Sequence, residues 1–368
     1  MERSETDQSN SEERLDTGLF GQLPDDPPAW TPATQRALDR AIGHGVPSDA
    51  VALFSRWWQL ETWLRLLVYL EMRAAVGSRW LDIVPERGQS RAERDLENRY
   101  MPSADATNPL SYLDAGQLIE RIGSEDIWPL VEYALLKRER WEGLVDQLQA
   151  IRNRLAHLRR PHSDDLARVE QALRDLEPGA RLALESFNRQ HRVWDESEDP
   201  LAKTWVRGEH QDARRLLRHA ERNYDTGFQI DYSLRPWASP VSGDAVTGMP
   251  GVLIHATWFL RDGALLAPRA FWSDARLDTG HARELIVVVA HSFESTVSVT
   301  FSGVDDPDAI ADAIGSCFDV VLSQRERHPS DLRRRRWRID AQGLDWRVHV
   351  DTALVLATED QPFSIFGA

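Results

Sequence analysis

The sequence is poor in cysteine and in uninterrupted apolar runs. Cys317 is the single cysteine among 368 residues, which excludes an intramolecular disulfide and a cysteine-rich zinc module. The most apolar run, residues 51–70, contains charged side chains such as Arg56 and Glu61, and this favours a buried helix over a membrane span. The N terminus has no basic segment followed by an apolar one, so we expect no signal peptide. These absences predict a soluble cytoplasmic protein with no membrane association.

Several catalytic signatures are also missing. The sequence has no phosphate-binding loop of the Walker type, no Ser-His-Asp nucleophile signature and no zinc-protease helix. Four histidines in the C-terminal part admit a metal cluster, but no paired carboxylates or cysteines accompany them. These histidines are His255, His281, His291 and His349. We therefore predict no metal and no cofactor.

Charge is unevenly distributed along the chain. The net charge is −15, so the protein as a whole repels nucleic acid and needs a local basic patch to bind it. Residues 137–160 provide such a patch, with seven basic and three acidic side chains. A second basic run, residues 333–336, precedes Trp337 and is either a platform for single strands or a solvated turn, the simpler interpretation.

The chain divides into four segments by composition. With 42% hydrophobic residues and 14 tryptophans, its length supports more than one buried core. Residues 1–30 hold eight acidic and two basic residues and no apolar period, which predicts a disordered acidic tail. We assign residues 31–192 to a helical domain, 193–224 to a helical connector and 225–368 to an α+β domain that senses a signal or binds a partner.

Helical periodicity dominates the first half. Pro32 begins a short helix that ends near Gly43, and a long helix runs from about Ser48 to Val76. Aromatic residues lie on more than one side of the long helix, so we expect neighbours on more than one side, such as a bundle and a dimer partner. Residues 83–112 are polar and predict a long loop with one helical turn at most. Further helices are predicted at residues 114–122, 125–137, 164–176, 179–190 and 204–224, with a break at residues 177–179.

After residue 225 the pattern changes to short runs of β-branched and aromatic residues. This pattern predicts a mainly antiparallel sheet, interrupted by a helix at residues 307–323. The predicted strands cover residues 252–260, 265–272, 285–290, 296–301, 337–339, 346–350 and 353–357.

One heptapeptide, residues 151–157, combines an Arg, an Asn and a His near the end of a predicted amphipathic helix. The apolar stripe of that helix has spacings of 4, 3, 4 and 3, and consists of Leu144, Leu148, Ile151, Leu155 and Leu158. Asn153 and His157 share another face. Arg152 lies about 140° around an ideal helix from His157, so one straight helix does not direct both at one atom. A local break of the helix, the reach of the long Arg side chain, or a second copy of the motif would each resolve this mismatch.

The string R-N-x-x-x-H resembles the signature of the HEPN superfamily, in which four to six residues lie between an Arg and a His. Arg152, Asn153 and His157 match it, as does a helical context that covers roughly residues 45–192. The resemblance implies an all-α bundle that pairs as a homodimer and a metal-independent endoribonuclease of the kind found in bacterial toxin and anti-phage systems. It also implies that both protomers contribute motifs to one cleft.

RNA cleavage of this kind needs few groups, because the ribose 2′-hydroxyl is the nucleophile. His157 is the expected general base or acid, Arg152 the stabiliser of charge on the phosphate, and Asn153 an orienting group. The expected products are a 2′,3′-cyclic phosphate and a 5′-hydroxyl, and DNA is not cleaved. Five further residues are candidates for substrate binding, namely Arg154, Arg159, Arg160, His162 and Glu61. Glu61 instead pairs with Arg65, four residues away, on the simpler interpretation.

Two alternatives from other classes stay open. The helical domain is a non-catalytic nucleotide-binding or dimerisation module in the first, and the chain is an interaction subunit of a larger defence assembly in the second. An antitoxin or defence partner would then bind through the C-terminal domain. An isolated R-N-x-x-x-H string on a helix is usually a solvated face, but the helical context and the basic flanks of this one favour the nuclease hypothesis over both alternatives.

Overall fold

A computed structural model describes residues 32–43, 48–98, 107–193, 198–240, 246–261, 264–279, 281–292, 295–327, 344–350, 352, 354 and 365–367. The predicted acidic tail, the basic run before Trp337 and the strand predicted at residues 337–339 lie outside these ranges, as does most of the strand predicted at 353–357. Within the described ranges, none of the helices has the length and apolarity needed to cross a bilayer.

The first part of the chain is helical. Its helices are α1 (Pro32–Gly43), α2 (Ser48–Val76), α3 (Glu86–Leu96), α4 (Ala115–Ile122), α5 (Trp128–Val131), α6 (Arg138–Ala156), α7 (Asp165–Asn188) and α8 (Ala213–Tyr224). Short 3-10 helices occur at Gly77–Ile83, Pro109–Tyr112 and Glu132–Ala134, and a π-helical turn at Ala202–Val206. Helix α4 begins with a capping box, in which the Asp114 side chain accepts from Gln117 N and the Gln117 side chain accepts from Asp114 N.

The second part combines strands with three helices. The strands are β1 (His191–Arg192), β2 (Thr226–Leu234), β3 (Val252–Leu260), β4 (Ala264–Leu266), β5 (Ile286–Ser292), β6 (Thr296–Ser302), β7 (Arg325–Arg327) and β8 (Val348–Val350). The helices are α9 (Pro268–Trp272), α10 (Ala282–Leu285) and α11 (Pro307–Gln324), with a 3-10 helix at Ala275–Leu277.

The main sheet is mixed, which corrects the prediction of a mainly antiparallel one. Six strands lie in the order β1-β2-β3-β6-β5-β8, and β4 pairs with β7 in a separate ribbon. Strand β8 pairs with β5 in parallel, with Ala290 opposite His349, whereas the other strand pairs are antiparallel. Apolar patterning identifies a strand but carries no information on its direction, and no hairpin joins β5 to β8.

The main sheet separates two buried cores. On one face, side chains such as Ile254 and Val289 pack with α8 and α11. On the other, Leu253 and Val287 pack with α2 and the rest of the helical bundle. Because both faces of β3 are covered, its sequence is mostly apolar without alternation, and its polar residues His255 and Thr257 are buried as well. One core is thus built from residues 193–322, and the other combines residues 53–187 with side chains of the sheet and of residues 354, 365 and 366.

Helix α2 is central to this arrangement. Residues 67–74 are all buried, and the sheet packs against this part of the helix. The Tyr69 hydroxyl donates to the Val287 carbonyl at 2.8 Å, and Arg73 donates to the carbonyls of Glu284 and Leu285. Only the first half of α2 leaves apolar side chains exposed, and this half contributes to the candidate site.

The chain end also joins the helical bundle. The Phe366 ring meets that of Trp63 edge to face, with centroids 5.6 Å apart. The Phe366 carbonyl accepts from Arg56 Nη1 at 2.6 Å, and the Glu177 carboxylate accepts the backbone N–H groups of Ile365 and Phe366. These contacts attach residues 365–367 to α2 and α7.

Several predicted helices differ from those observed. The polar stretch predicted as a loop contains the eleven-residue α3, which buries only Gly88 and Ala92 and so has little apolar periodicity. Helix α7 continues through Pro178 instead of breaking there, because packing of its C-terminal half on the core outweighs the lost hydrogen bond. The helix predicted at residues 125–137 is limited to α5 and a 3-10 turn. Gly208, with φ of 72°, lies between the π-helical turn and α8, where one helix was predicted.

Two strand predictions also need correction. Residues 265–272 form the end of β4 and helix α9, since Pro268 begins the helix with its fixed φ. Strand β2 was not predicted, although the apolar residues Phe228, Ile230, Tyr232 and Leu234 alternate with polar ones along it.

Candidate functional site

The motif helix α6 ends one residue before the motif histidine. Ala156 is its last residue and His157 its C-cap, with φ of −98° and ψ of 16°. Leu158 N donates to Leu155 O at 3.1 Å and Arg159 N donates to Arg154 O at 2.8 Å. These two bonds form a Schellman motif, whose left-handed position is usually glycine. Here it is Leu158, with φ of 52°.

Because α6 ends at Ala156, only the part of the predicted apolar stripe that lies within the helix packs on the core. Leu148 and Ile151 are buried, and Leu144 and Leu155 pack partly buried against the same core. Leu158 was predicted to join them, but its side chain is 95% exposed. The chain turns at His157, so Leu158 no longer lies on the helix face that meets the core.

Arg154 fixes this turn to the next helix. Its Nε donates to Asp165 Oδ2 at 2.7 Å and its Nη2 to Oδ1, which makes a bidentate ion pair with a buried carboxylate. Burial disfavours the Asp165 carboxylate, but the hydrogen bonds from Arg154 and from the His162 N–H outweigh it, so the pKa of Asp165 is lowered. We therefore assign Arg154 to holding α6 against α7 rather than to binding substrate.

A cavity of about 1030 Å³ opens beside the end of α6. The first half of α2 forms one wall, and the end of α6 with the turn after it forms the other. Its lining residues are Ala50, Val51, Phe54, Trp57, Glu61, Arg152, Leu155, Ala156, Leu158, Arg159, Arg160 and Pro161. The structure thus brings together four predicted site residues, namely Arg152, Arg159, Arg160 and Glu61.

The cavity has an excess of positive charge. Among the described residues, no carboxylate lies within 4 Å of the guanidinium of Arg152, Arg159 or Arg160, and none of the three side chains forms a hydrogen bond. Glu61 is the one carboxylate among the described lining residues, and it accepts from Arg65 and from the Trp57 indole N–H, the latter at 2.5 Å. Glu61 therefore pairs with Arg65, as their spacing predicts, and contacts neither Arg152 nor His157.

Asn153 and His157 lie outside this cavity. Both side chains are exposed, and within the described part of the chain neither makes a side-chain hydrogen bond or ion pair. The end of α6 at Ala156 is the local break of the helix that was one of the three predicted ways to bring Arg152 and His157 together. The two side chains nevertheless lie on different surfaces of one protomer. His162 is separate from both groups, since its ring accepts from Asp164 N at 3.3 Å in the turn before α7.

Apart from Glu61, the residues of α2 that line the cavity were not predicted as site residues. Phe54 is 55% exposed and lines the cavity, whereas Trp57, one turn away, is 7% exposed. The signal was present, because the aromatic residues of α2 cover more faces than a single core needs. The sequence did not show which of those faces stays open.

The C-terminal histidines follow a different pattern from a metal site. His255 contacts the hydroxyl groups of Ser233 and Thr300 with its two ring nitrogens, at 2.8 and 3.0 Å. His291, in β5, is buried beside Phe271 of α9. His281 is exposed beside Glu284. The described residues contain no group of three or more His, Cys, Asp or Glu side chains placed to hold a metal ion.

Comparison with known proteins gives no family for this chain. No family model matches it, and searches of curated proteins and of solved structures find no similar protein.

Proposed function

We propose that this protein is a metal-independent endoribonuclease of the HEPN type. The motif residues Arg152, Asn153 and His157 are its catalytic groups, and single-stranded RNA is its substrate. A role as a toxin or as an effector of anti-phage defence is part of the same proposal, since it rests on the resemblance of the motif to proteins of that kind.

The observation that carries the proposal is that Arg152 lines a cavity without a carboxylate partner among the described residues. Its guanidinium lines a large cavity together with two further arginines, and none of the three has a carboxylate partner among the described residues. An arginine that serves stability alone is usually paired, as Arg154 is with Asp165. Three unpaired guanidinium groups in a concave surface favour a polyanionic ligand, and they do so in a protein whose net charge is −15.

The chemistry follows from these groups. A base, His157, removes the proton of the ribose 2′-hydroxyl, and the 2′-oxygen attacks the adjacent phosphorus. The bond to the 5′-oxygen breaks, and that oxygen leaves with a proton from an acid, which leaves a 2′,3′-cyclic phosphate and a 5′-hydroxyl. Arg152 neutralises the charge that develops on the phosphate oxygens. Imidazole suits the proton transfers because its ordinary pKa of about 6.5 lies near cellular pH.

In a homodimer, the cavity lined by Arg152 of one protomer would meet His157 of the other. Within one protomer His157 is exposed outside the cavity that Arg152 lines. A second protomer that packs along α6 would supply its own His157 to this cavity and receive the reciprocal contact, as a two-fold interface requires. The exposed apolar side chains of Val51 and Leu158 near the rim support such packing.

The first experiment compares purified wild type with the Arg152→Ala and His157→Ala variants on labelled single-stranded RNA and on DNA of the same sequence, with EDTA present. Arg140→Ala is the matched control, because Arg140 is an exposed arginine of the same helix outside the cavity. We expect wild type and Arg140→Ala to cut RNA to cyclic-phosphate ends and to leave DNA intact, while the other two variants are inactive. Equal behaviour of all four proteins, or cleavage of DNA, contradicts the proposal.

A non-catalytic role is the second candidate, and one observation favours it. His157 and Asn153 make no side-chain contact among the described residues that would orient them for catalysis. A nucleotide-binding module predicts that His157→Ala leaves ligand binding and cellular function intact, whereas Arg152→Ala removes both.

A further inference from the structure

The wall of the cavity formed by α2 carries two aromatic side chains that do not pack in the protein core. Phe54 and Trp58 lie one turn apart on α2, each side chain is 55% exposed, and their ring centroids are 6.3 Å apart. Phe54 lines the cavity, whereas Trp58 lies beside it. Exposure of two large aromatic side chains in contact with each other is unfavourable in water, so a function for this surface is the simplest reason for it.

The surroundings of Phe54 distinguish a ligand site from an ordinary apolar patch. The opposite wall supplies Arg152, Arg159 and Arg160, which have no carboxylate partner among the described residues. An aromatic face opposite unpaired guanidinium groups matches a nucleotide, whose base stacks on the ring while its phosphates contact the cations. A protein segment covering the same cavity would need acidic side chains for the three arginines as well as apolar ones for Phe54.

We propose that Phe54 is a base-stacking residue for single-stranded RNA, with Trp58 as its neighbour on α2, and that it sets the position of the strand relative to Arg152. The proposal deepens the proposed function and rests on it for the identity of the substrate. Phe54 does not touch the reacting atoms, so it is a positioning residue. Stacking tolerates every base, because each has a flat π face, and it excludes paired strands, whose bases are not accessible.

Binding of a strand that resists cleavage tests this assignment without any need for activity. The probe is a fluorescein-labelled RNA octamer with 2′-O-methyl riboses, which lack the nucleophilic hydroxyl, and the readout is fluorescence anisotropy over a series of salt concentrations. The proteins are full-length wild type and the Phe54→Ala, Phe54→Leu, Phe54→Tyr and Arg159→Ala variants. Leu182→Ala is the matched control, because Leu182 is an exposed apolar residue of α7 outside the cavity.

We expect Phe54→Ala and Phe54→Leu to weaken binding by about tenfold or more, since a base stacked on an aromatic ring contributes about 1–3 kcal/mol and 1.4 kcal/mol is tenfold. Phe54→Tyr retains a ring and binds as wild type does, and Leu182→Ala is unchanged. The salt dependence separates the two kinds of contact. Arg159→Ala lowers the slope of log K against log salt by about 0.7 for one lost phosphate contact, whereas the Phe54 variants keep the wild-type slope.

Three outcomes overturn the assignment. Wild-type affinity in Phe54→Leu would mean that only apolar packing matters, and absence of RNA binding in wild type would remove the ligand. A Phe54→Ala protein that binds RNA normally but sediments as a smaller species than wild type would assign this surface to a second copy of the chain.

The proposed function can fail separately. If the octamer binds through Phe54 but no RNA is cut, the stacking site stands and the nuclease proposal does not. If RNA is cut and Phe54 has no effect on binding, the reverse holds. Because Phe54 is exposed, its variants are expected to fold, and their thermal unfolding midpoints check this directly.

Discussion

Arg235 and Glu71 form an ion pair that is wholly buried between the helical bundle and the sheet. Arg235 follows β2, Glu71 belongs to α2, and the Arg235 Nε lies 3.0 and 3.1 Å from the two carboxylate oxygens. Tyr133 and the Trp237 indole also donate to this carboxylate, at 2.6 Å each. Burial disfavours the charge of Arg235, but the attraction of Glu71 outweighs it and raises the pKa of Arg235.

Removing one partner of this pair should destabilise the protein strongly. Arg235→Met leaves the Glu71 carboxylate buried without its cation, which costs about 3–5 kcal/mol of unfolding free energy. Urea unfolding followed by circular dichroism measures the loss. Arg138→Met is the control, since Arg138 forms an exposed pair with Glu142 and its removal should cost less than about 1 kcal/mol. Similar losses in the two variants would mean that the buried pair contributes no more than an exposed one.

Gly179 allows α7 to approach the backbone of Ala134 closely. A Cβ atom at this position would lie 2.2 Å from the Ala134 carbonyl oxygen, so the helix or the 3-10 turn must move to accept one. Gly179→Ala is therefore expected to lower the unfolding free energy by about 1–3 kcal/mol, the usual cost of overpacking. Gly143→Ala on α6 is the opposite case, because nothing lies within 4 Å of its Cβ position, and it should stabilise by about 0.4–1 kcal/mol. Effects of the same sign in both variants would contradict this account.

Leu158 has a left-handed backbone conformation that glycine adopts without strain. Its side chain is 95% exposed and contributes little to the core. Leu158→Gly should therefore raise the unfolding free energy by about 1 kcal/mol, because L-residues lose about 1–2 kcal/mol in this conformation. Leu158→Ala removes the same side chain but keeps the strain, so it should have almost no effect on stability. If Leu158→Gly stabilises the protein and impairs RNA cleavage while Leu158→Ala cleaves as wild type does, the strained turn serves the site and not the fold.

The sequence predicted local features better than relations between distant ones. The bounds of α2, β3 and α11 were predicted closely, because hydrophobic periodicity and terminal signals such as Gly77 are local properties. Helix α3 and the direction of β8 were not predicted. The first depends on packing rather than on its own apolar period, and the second on which strand lies beside it.

In the candidate site, too, the sequence predicted neighbouring residues but not contacts between distant ones. The motif and the basic residues after it could be read from their spacing, and Arg152, Arg159 and Arg160 do line one cavity. Phe54 lies about a hundred residues away in the chain, and only the fold brings it to the opposite wall. The pairing of Arg154 with Asp165 was also outside the reach of a sequence pattern, since an arginine in a basic stretch carries no sign of its partner.

The buried His255 and His291 and the partly buried His349 should make the protein sensitive to mild acid. Burial disfavours the imidazolium and lowers the pKa of His255 and of His291 to about 3, and that of His349 to about 4. Each folded-state pKa lies below the unfolded value of about 6.5, so the unfolded state binds more protons between these limits. The stability is therefore fully present above pH 6.5 and is lost as the pH falls towards 3–4.

The loss amounts to about 2 kcal/mol per buried histidine at pH 5. Urea unfolding between pH 7.5 and 5 measures it in a range where most carboxylates stay ionised. His255→Gln keeps polar atoms near Ser233 and Thr300 but does not titrate, so the unfolding free energy of this variant should fall less steeply with pH than that of wild type. His162→Gln is the control for the loss of an imidazole at an exposed position. An unchanged slope in His255→Gln would show that His255 has the same pKa in the folded and unfolded states, since a group that binds its proton equally in both contributes no pH dependence.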